Sequence, residues 1–197
     1  MSLQEILSFS AFLNKFREVE RSMWFSYDRR KENDAEHSWQ LSMLAWYVIS
    51  QKKLPLSLEK VLQYCLIHDI PEIYAWDVAA LRRSDEQQAL KEERERQAME
   101  RIYHEFPQAH PMWDRVEQYE KREDEESKFV YALDKIIPVI NIYNDWGFWW
   151  KENAINLEKE LLPPKNTKVH VSPVIKEIWD ELVVLLREQE SSLFISK

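Results

Sequence analysis

Glycine is almost absent from this sequence: Gly147 is the only one among 197 residues. Phosphate-binding loops and dinucleotide-binding fingerprints need several closely spaced glycines, so the composition excludes both kinds of site. Tight β-hairpin turns also favour Gly or Asn-Gly, and few such pairs are present. We therefore expect a chain that is nearly all helix.

Cysteine and long apolar runs are scarce as well. Cys65 is the single cysteine, which excludes intrachain disulfide bonds. No apolar run reaches the length of a membrane span, and no N-terminal apolar stretch with a basic flank is seen. We expect a soluble cytoplasmic protein that does not bind membranes.

Clusters of basic residues are also lacking. The net charge is −8, which argues against a broad surface for a nucleic-acid polymer. A small anionic substrate remains compatible, because it needs only a local basic pocket. By contrast, 45% of the residues are hydrophobic and nine are Trp, which suits one compact core.

Apolar residues recur with helical spacing along most of the chain. The spacing predicts helices over about residues 3–21, 35–51, 58–69, 85–106, 113–121 and 174–188, and a most apolar helix around residues 129–142. Helix 85–106 is strongly charged, and we expect its charges to form a solvated face. Residues 27–33, 73–83 and 161–173 are predicted to be loops or connections. Because no repeat or linker is present, we expect a single domain over residues 1–197.

The most informative stretch is residues 65–72, Cys-Leu-Ile-His-Asp-Ile-Pro-Glu. A helix ends there in His68 and Asp69, with Glu72 four residues after His68, so a continuing helix would place all three heads on one side. Buried polar groups of this kind need a counter-ion, and a divalent metal accepts both imidazole and carboxylate ligands. The apolar face that leads into them is predicted to comprise Val61, Leu62, Cys65 and Leu66.

Two other helices carry ligand-type groups on predicted buried faces. His37 lies on the apolar stripe of helix 35–51, and Asp134 lies inside the most apolar helix. Taken singly, His37 is explained by a hydrogen-bonded core histidine, and Asp134 by a pair with Lys135 or an Arg. Taken together with His68 and Asp69, they favour one shared site for a divalent ion: Mn, Fe, Co, Ni, Zn or Mg.

The order His37, His68-Asp69, Asp134 resembles the H…HD…D pattern of the HD-domain metal-dependent phosphohydrolases. The 5′-deoxynucleotidase-like branch is more similar still. It shows an Arg with a Trp close behind, an acidic residue before the first His, H-D-x-x-E and a downstream Asp. The matching residues here are Arg21, Trp24, Glu36-His37, His68-Asp69-Ile70-Pro71-Glu72 and Asp77. The resemblance implies a compact all-α bundle of the HD-domain type, with the metal motifs in about residues 19–138 and the C-terminal helices completing it.

The resemblance also implies roles for these residues. It suggests hydrolysis of nucleoside 5′-monophosphates with one divalent metal ion, held by His37, His68, Asp69 and Asp134. Activation of the attacking water would fall to Glu72, or less favourably to Asp77, which the resemblance places at the leaving-group or sugar side. The residues that contact the small phosphorylated substrate would be Arg21, Trp24 and Asp77, with Lys135 a weaker candidate for the phosphate.

One departure from the branch precedes Asp77. Relatives usually have Gly there, and this chain has Trp76, followed by Val78-Ala79-Ala80 in place of a nearby Thr or Pro. Because a Trp does not freely adopt the positive φ that Gly allows, we expect a differently shaped loop. The departure bears on which base or sugar is accepted.

Two alternative functions remain. The first is an enzyme that cleaves a phosphodiester or pyrophosphate, such as a cyclic or polyphosphorylated nucleotide. The second is a helical interaction module with a structural metal, against which the intact Glu72 argues, because a structural site needs no base. Related proteins are dimers in many cases, and we expect a homodimer that buries Trp146, Trp149 and Trp150.

Overall fold

Helices dominate the part of the chain that the computed structural model describes, residues 1–24, 30–76 and 84–195, without the side chains of residues 23, 24 and 85. This confirms the predicted all-α class. The helices are α1 Leu3–Phe16, α2 Asp34–Lys52, α3 Leu58–Ile67, α4 Glu72–Ala75, α5 Asp85–Glu105, α6 His110–Lys121, α7 Glu125–Asn144, α8 Phe148–Glu152, α9 Leu162–Val169, α10 Pro173–Glu188 and α11 Glu190–Leu193.

Helix starts follow the capping residues of the sequence. Asn33 accepts a hydrogen bond from the Glu36 backbone N–H while the Glu36 side chain accepts one from the Asn33 N–H, so α2 begins with a capping box. Ser57 caps α3, and Asp124 caps α7 through the Ser127 N–H. Because these caps fix where each helix begins, they also fix where its first buried side chains point.

A small sheet interrupts the helices. The first helix ends at Phe16, short of the predicted residue 21, and two antiparallel strands follow, β1 Glu20–Trp24 and β2 Lys31–Asn33. The prediction of a loop for residues 31–33 is therefore wrong. The pairing of these strands joins residues that are distant in sequence, a contact that helical periodicity does not report.

Two helices bury less of their apolar surface, or a different face, than their periodicity suggests. In α1 only Phe12 and Phe16 are buried, and four other apolar residues are exposed: Leu3, Ile6, Leu7 and Leu13. In α3 the buried stripe is Val61, Tyr64, Cys65 and then His68, so Leu66, expected in that face, is 57% exposed. The rotation arises because α3 packs against α2, α6 and α7 together, which buries Tyr64 as well as Cys65.

The centre of the fold is α7. It packs against α2, α3, α9 and α10, and it continues as a helix through Pro138. Reciprocal amide hydrogen bonds of 2.8 and 2.9 Å join Gln40 of α2 to Asn141 of α7. Tyr64 of α3 donates a 2.8 Å hydrogen bond to Asp124 at the start of α7. These contacts hold α2 and α3 against the helix that carries Asp134.

The segment predicted as an irregular connection, residues 161–173, is largely helical. A π-helical turn at Leu157–Leu161 leads into α9. Two of the three prolines in the segment lie in the first turn of α9, and the third, Pro173, begins α10. Proline is compatible with a first turn because its missing N–H would have no helical partner there. The prolines thus mark a helix start and not a break.

The C-terminal end of the fold closes over the only glycine. Gly147 has φ +70°, and a Cβ there would lie 2.1 Å from the Leu193 carbonyl oxygen. Trp150 is buried and stacks on Phe194 with ring centroids 4.7 Å apart. Trp150 therefore cannot serve in a dimer contact as expected, because it packs within its own chain. Among the described helices, none has the length and apolarity required to cross a membrane.

Candidate metal centre

The site is built around a pair of buried groups from α2 and α7. Nε2 of His37, in the first turn of α2, lies 3.0 Å from Oδ1 of Asp134, in the middle of α7. Both side chains are buried. The other ring nitrogen of His37, Nδ1, faces the Glu32 carboxylate at 3.7 Å. A carboxylate behind an imidazole orients the ring and favours a proton on Nδ1, which leaves Nε2 as the ligand atom.

His68 and Asp69 come from the turn that follows α3. Nδ1 of His68 lies 2.9 Å from the Cys65 carbonyl oxygen and donates to it, which directs Nε2 into the site. Nε2 is 3.0 Å from Oδ2 of Asp69 and 3.9 Å from Oδ1 of Asp134. The rings of His37 and His68 have centroids 5.4 Å apart. The four predicted ligands thus converge in space.

These residues fit a divalent metal ion. One ligand atom each from His37, His68 and Asp69 lies within 4.8 Å of the others. Nε2 of His68 is buried and, although it lies 3.0 Å from Oδ2 of Asp69, makes no well-directed hydrogen bond to any of the described residues, whereas Nδ1 is fixed by a backbone carbonyl. An imidazole held in this way is typical of metal-binding histidines. The donor set of two imidazoles and two carboxylates suits first-row divalent metals and does not distinguish among them.

The charges around the site keep its carboxylates ionised. Burial raises the pKa of Asp134, but Lys135 and His37 more than offset it and hold that pKa well below its usual range. Burial likewise raises the pKa of Asp69, and the neighbouring His68 and Arg21 lower it further than burial raises it. Both carboxylates are therefore ready to bind a cation at neutral pH.

The same environment favours a proton on His37 when no metal competes for it. Burial and the Arg21 charge lower the pKa of His37, whereas its contacts with Asp134 and Glu32 raise it to about 9. A metal ligand must be the neutral imidazole, so metal uptake near neutral pH releases this proton.

Arg21 lies beside the candidate metal ligands. Its Nη1 donates to Asp69 at 2.7 Å and to Asp34 at 3.0 Å, and its Nε is 3.6 Å from Glu32. Asp34 and Glu32 are buried, and the sequence analysis did not single out either of them. The sequence signal that could have identified Asp34 is the capping box that begins at Asn33, because it places residue 34 at the start of the helix that carries His37.

Glu72 stands next to the ligands at the start of α4. It is buried, and one of its oxygens lies within 4.8 Å of oxygens of Asp34 and Asp69. Nζ of Lys91, from α5, lies 2.9 Å from Oε1 of Glu72 and 2.9 Å from Glu95. As predicted, the helix ends near His68 and Asp69: α3 ends at Ile67, and a turn separates it from α4. That turn nevertheless keeps Glu72 beside Asp69.

A cleft of about 490 Å³ opens from the metal ligands to the surface. Its lining includes His68, Glu72 and Asp134, and also the cationic side chains Lys91, Lys135 and Lys168. Lys168 belongs to α9, and Lys165 of the same helix donates a hydrogen bond to the Lys135 carbonyl. The sequence did not predict Lys91 and Lys168 as site residues, because Lys91 was assigned to a solvated helix and Lys168 to a connection.

Two predicted substrate residues fall outside what the structure describes. Asp77 lies between the described ranges, and of Trp24 only the backbone of β1 is described. Trp76, by contrast, is described: it has φ +62° and ψ 149° and is 62% exposed. Trp76 thus adopts a backbone conformation that almost only Gly adopts. The expectation of a differently shaped loop concerns residues that lie outside the described ranges, so it stays a prediction.

Comparison with known proteins agrees with this arrangement. The HD domain family matches residues 13–179. Human and mouse 5′-deoxynucleotidase HDDC2 are 24% and 25% identical over 135 and 133 residues, which is 67% and 66% of this chain. The matched region spans 64% of the length of each of these curated relatives.

Solved structures show the same fold. A protein from Magnetospirillum magnetotacticum MS-1, described as a predicted metal-dependent phosphohydrolase, superposes with a TM-score of 0.80 at 26% identity, covering 98% of this chain and 95% of that one. An HD-domain phosphohydrolase from Listeria innocua has a TM-score of 0.68 at 16% identity, covering 92% and 90% of the two chains. The resemblance seen in the sequence is confirmed, and the chain belongs to the HD-domain family.

Proposed function

We propose that this protein is a metal-dependent phosphohydrolase that removes the phosphate from nucleoside 5′-monophosphates. The observation that carries the proposal is the buried cluster of two imidazoles and two carboxylates that opens into a cleft containing both an acid and several cations. The family and the description of the Magnetospirillum relative support the hydrolase class. The HDDC2 relatives, named as 5′-deoxynucleotidases, support the nucleotide substrate.

The ligands we assign to one divalent ion are His37, His68, Asp69 and Asp134. Such an ion polarises a phosphoryl oxygen and lowers the pKa of a bound water. The side chains of the protein contribute by positioning the attacking water and the phosphate. Glu72 accepts the proton of the attacking water. Among the described carboxylates that are buried beside the ligands and not assigned to the metal, Glu72 lines the cleft, whereas Asp34 and Glu32 do not.

We assign the phosphate to the cationic side of the cleft. Lys135 and Lys168 line the cleft together with His68, and an ammonium group binds a terminal phosphate as a point charge. Arg21 remains a predicted phosphate contact. Because its Nη1 already donates to Asp69 and Asp34, Arg21 also has a second role, which is to hold the Asp69 carboxylate in place.

The roles of the residues outside the described ranges stay predictions. Asp77 is proposed for the leaving-group or sugar side, with the alternative that it activates the water, and Trp24 for contact with the substrate. A cytoplasmic location also stays a prediction from the sequence. The identity of the metal ion is left to a comparison of Mn, Co, Ni, Fe, Zn and Mg.

A substrate panel tests the proposal. We expect phosphate release from nucleoside monophosphates to exceed that from di- and triphosphates under one metal condition, because a single ion and two lysines suit one terminal phosphate. Glu72→Gln should keep its metal and lose about 10²- to 10⁴-fold in turnover, as expected for removal of a positioned base. His68→Ala should lose metal and turnover together.

The panel also separates the alternatives. Activity on cyclic diesters alone, or a clear preference for triphosphates, would replace the proposal with a phosphodiesterase or pyrophosphohydrolase. A Glu72→Gln protein with full turnover would move the base to Asp77. A wild-type protein that binds metal and hydrolyses none of these phosphates would favour the interaction module with a structural metal.

A further inference from the structure

One buried side chain in the wall of the cleft has no role in the proposed mechanism. Tyr119 of α6 is only 4% exposed, yet it lines the cleft that opens from the candidate metal ligands. Its ring packs against the rings of His68 and Tyr64, with centroids 6.0 and 5.7 Å away. Both of these neighbours are fixed by hydrogen bonds, His68 through Nδ1 and Tyr64 through its hydroxyl group. Tyr119 is therefore held in one position beside His68.

The hydroxyl group of Tyr119 makes no hydrogen bond to any residue in the described ranges. Other tyrosines of the same region do: Tyr64 donates to Asp124, and Tyr103 donates to Glu117, each at 2.8 Å. A buried hydroxyl group normally has a partner, because its lost hydration is otherwise not replaced. Since Tyr119 lines the cleft, a ligand bound there can supply that partner.

The charge state of Tyr119 makes it a hydrogen-bond donor. A phenol has an ordinary pKa of about 10, so it keeps its proton at neutral pH. Burial raises the pKa of Tyr119 well above its usual range, and the charges of Asp134 and Asp69 raise it further. A group with so high a pKa donates a hydrogen bond but is a poor general acid for a leaving group. The partner that suits it best is an anionic oxygen.

We propose that the hydroxyl group of Tyr119 donates a hydrogen bond to a phosphoryl oxygen of the substrate. This inference rests on the proposed phosphohydrolase function. A terminal phosphate presents several non-bridging oxygens and is held best by donors from several directions. Lys135 and Lys168 reach the cleft from α7 and α9, and Tyr119 reaches it from α6. Because its ring is fixed, Tyr119 adds a directed donor to the point charges of the lysines.

Removal of the hydroxyl group tests the inference. In metal-loaded Tyr119→Phe we expect the Kd of inorganic phosphate, measured by calorimetry, to rise about tenfold or more, because a hydrogen bond to a charged group is lost. The kcat/KM for nucleoside monophosphates should fall by about 10- to 100-fold for the same reason. Metal content should not change. The Tm should stay the same or rise, because the lost hydroxyl group has no partner within the protein.

The matched control is Tyr64→Phe. It makes the same change in the neighbouring ring, but it removes the hydrogen bond to Asp124. We expect its Tm to fall by about 2–4 °C, as for the loss of one hydrogen bond in a chain of this size. Its phosphate affinity and kcat/KM should equal those of the wild type. The two variants thus separate loss of a substrate contact from loss of a structural contact.

A Tyr119→Phe protein with wild-type phosphate affinity would overturn the inference. So would a Tm that falls as far as in Tyr64→Phe, because the hydroxyl group would then have a structural partner. A metal-loaded wild type that binds no phosphate would overturn it as well. If the wild type hydrolyses no nucleoside monophosphate, but Tyr119→Phe still weakens phosphate binding, the contact stands and the proposed substrate is wrong.

Discussion

At the scale of single residues, Lys91 adds ion pairs to the candidate site that the sequence did not predict. Its ammonium lies 2.9 Å from Glu72 and 2.9 Å from Glu95, and only 18% of its side chain is exposed. Burial lowers the pKa of Lys91, but the two carboxylates raise it by more, so the group stays charged. A charged group held this tightly positions Glu72 without itself contacting the metal ligands.

Replacement of Lys91 tests that role. Lys91→Met should lower kcat by about 10- to 100-fold, as for other groups that orient residues next to a metal, while metal content stays at the wild-type level. The acidic limb of the pH–rate profile should move to higher pH, because loss of the ammonium disfavours the ionised form of Glu72. Lys91→Arg should recover part of the activity.

Arg96→Met is the control for Lys91. It removes a cation from the same helix, but Arg96 pairs with Glu93 and Glu100 on the solvated face. We expect normal turnover and an unchanged pH profile for this variant. A Lys91→Met enzyme with wild-type kcat and pH dependence would reduce the contact to an ordinary ion pair.

At the scale of elements, the end of α4 stores strain. Trp76 caps α4 with φ +62° and ψ 149°, a conformation that costs a non-glycine residue roughly 1–3 kcal/mol. Since the side chain is 62% exposed, its removal loses little packing. The strain lies next to Glu72 and directly before Asp77, both of which we assign to catalysis.

The strain predicts an unusual response to glycine. Trp76→Gly should raise the free energy of unfolding by about 1 kcal/mol, because the relief of strain exceeds the entropic cost of a glycine in the unfolded chain. Trp76→Ala removes the same ring but keeps a Cβ, so it should give no such gain. Denaturant unfolding of both variants makes the comparison, and equal stability of the Gly and Ala variants would show that the backbone is unstrained.

The convergence of the four candidate metal ligands could be predicted from the sequence because each lies in or ends a strongly periodic element. His37 and Asp134 interrupt apolar stripes, and His68-Asp69 ends one, so their burial follows from spacing alone. Glu32, Lys91 and Lys168 could not be predicted in this way. Glu32 reaches the site through strand pairing, Lys91 from a helix whose charges are otherwise solvated, and Lys168 from a helix begun by prolines. Their roles arise from contacts between elements, which local patterns do not contain.

At the scale of the whole molecule, the proposed metal ion joins α2, the turn after α3, and α7. Without metal, His37 has a pKa of about 9 against an ordinary value of 6.5. A raised pKa stabilises the folded protein fully below about pH 6.5, and this stabilisation is lost as the pH rises through about 9; for His37 it is on the order of 3 kcal/mol. The metal-bound form needs the neutral imidazole, so it does not suffer this loss.

The stabilisation by metal should therefore grow with pH. We expect the difference in Tm between metal-loaded and chelated protein to increase from pH 6.5 to 9, and metal affinity to rise by up to about tenfold per pH unit over that range. Calorimetric titration in buffers of different ionisation enthalpy should detect release of about one proton near pH 7. His37→Gln is the control variant, and a difference in Tm that does not vary with pH in the wild type would contradict the assignment.

The single glycine, Gly147, can serve as a spectroscopic probe of the fold. Because it is the only glycine, protein labelled with ¹⁵N-glycine contains one labelled glycine amide, which needs no assignment experiment. That N–H donates a 2.9 Å hydrogen bond to the Ile142 carbonyl, directly below the Leu193 backbone. Its chemical shift and hydrogen-exchange rate therefore report whether the C-terminal helix is docked on the body of the fold. Because the spectrum contains a single resonance, it can be read at any stage of unfolding.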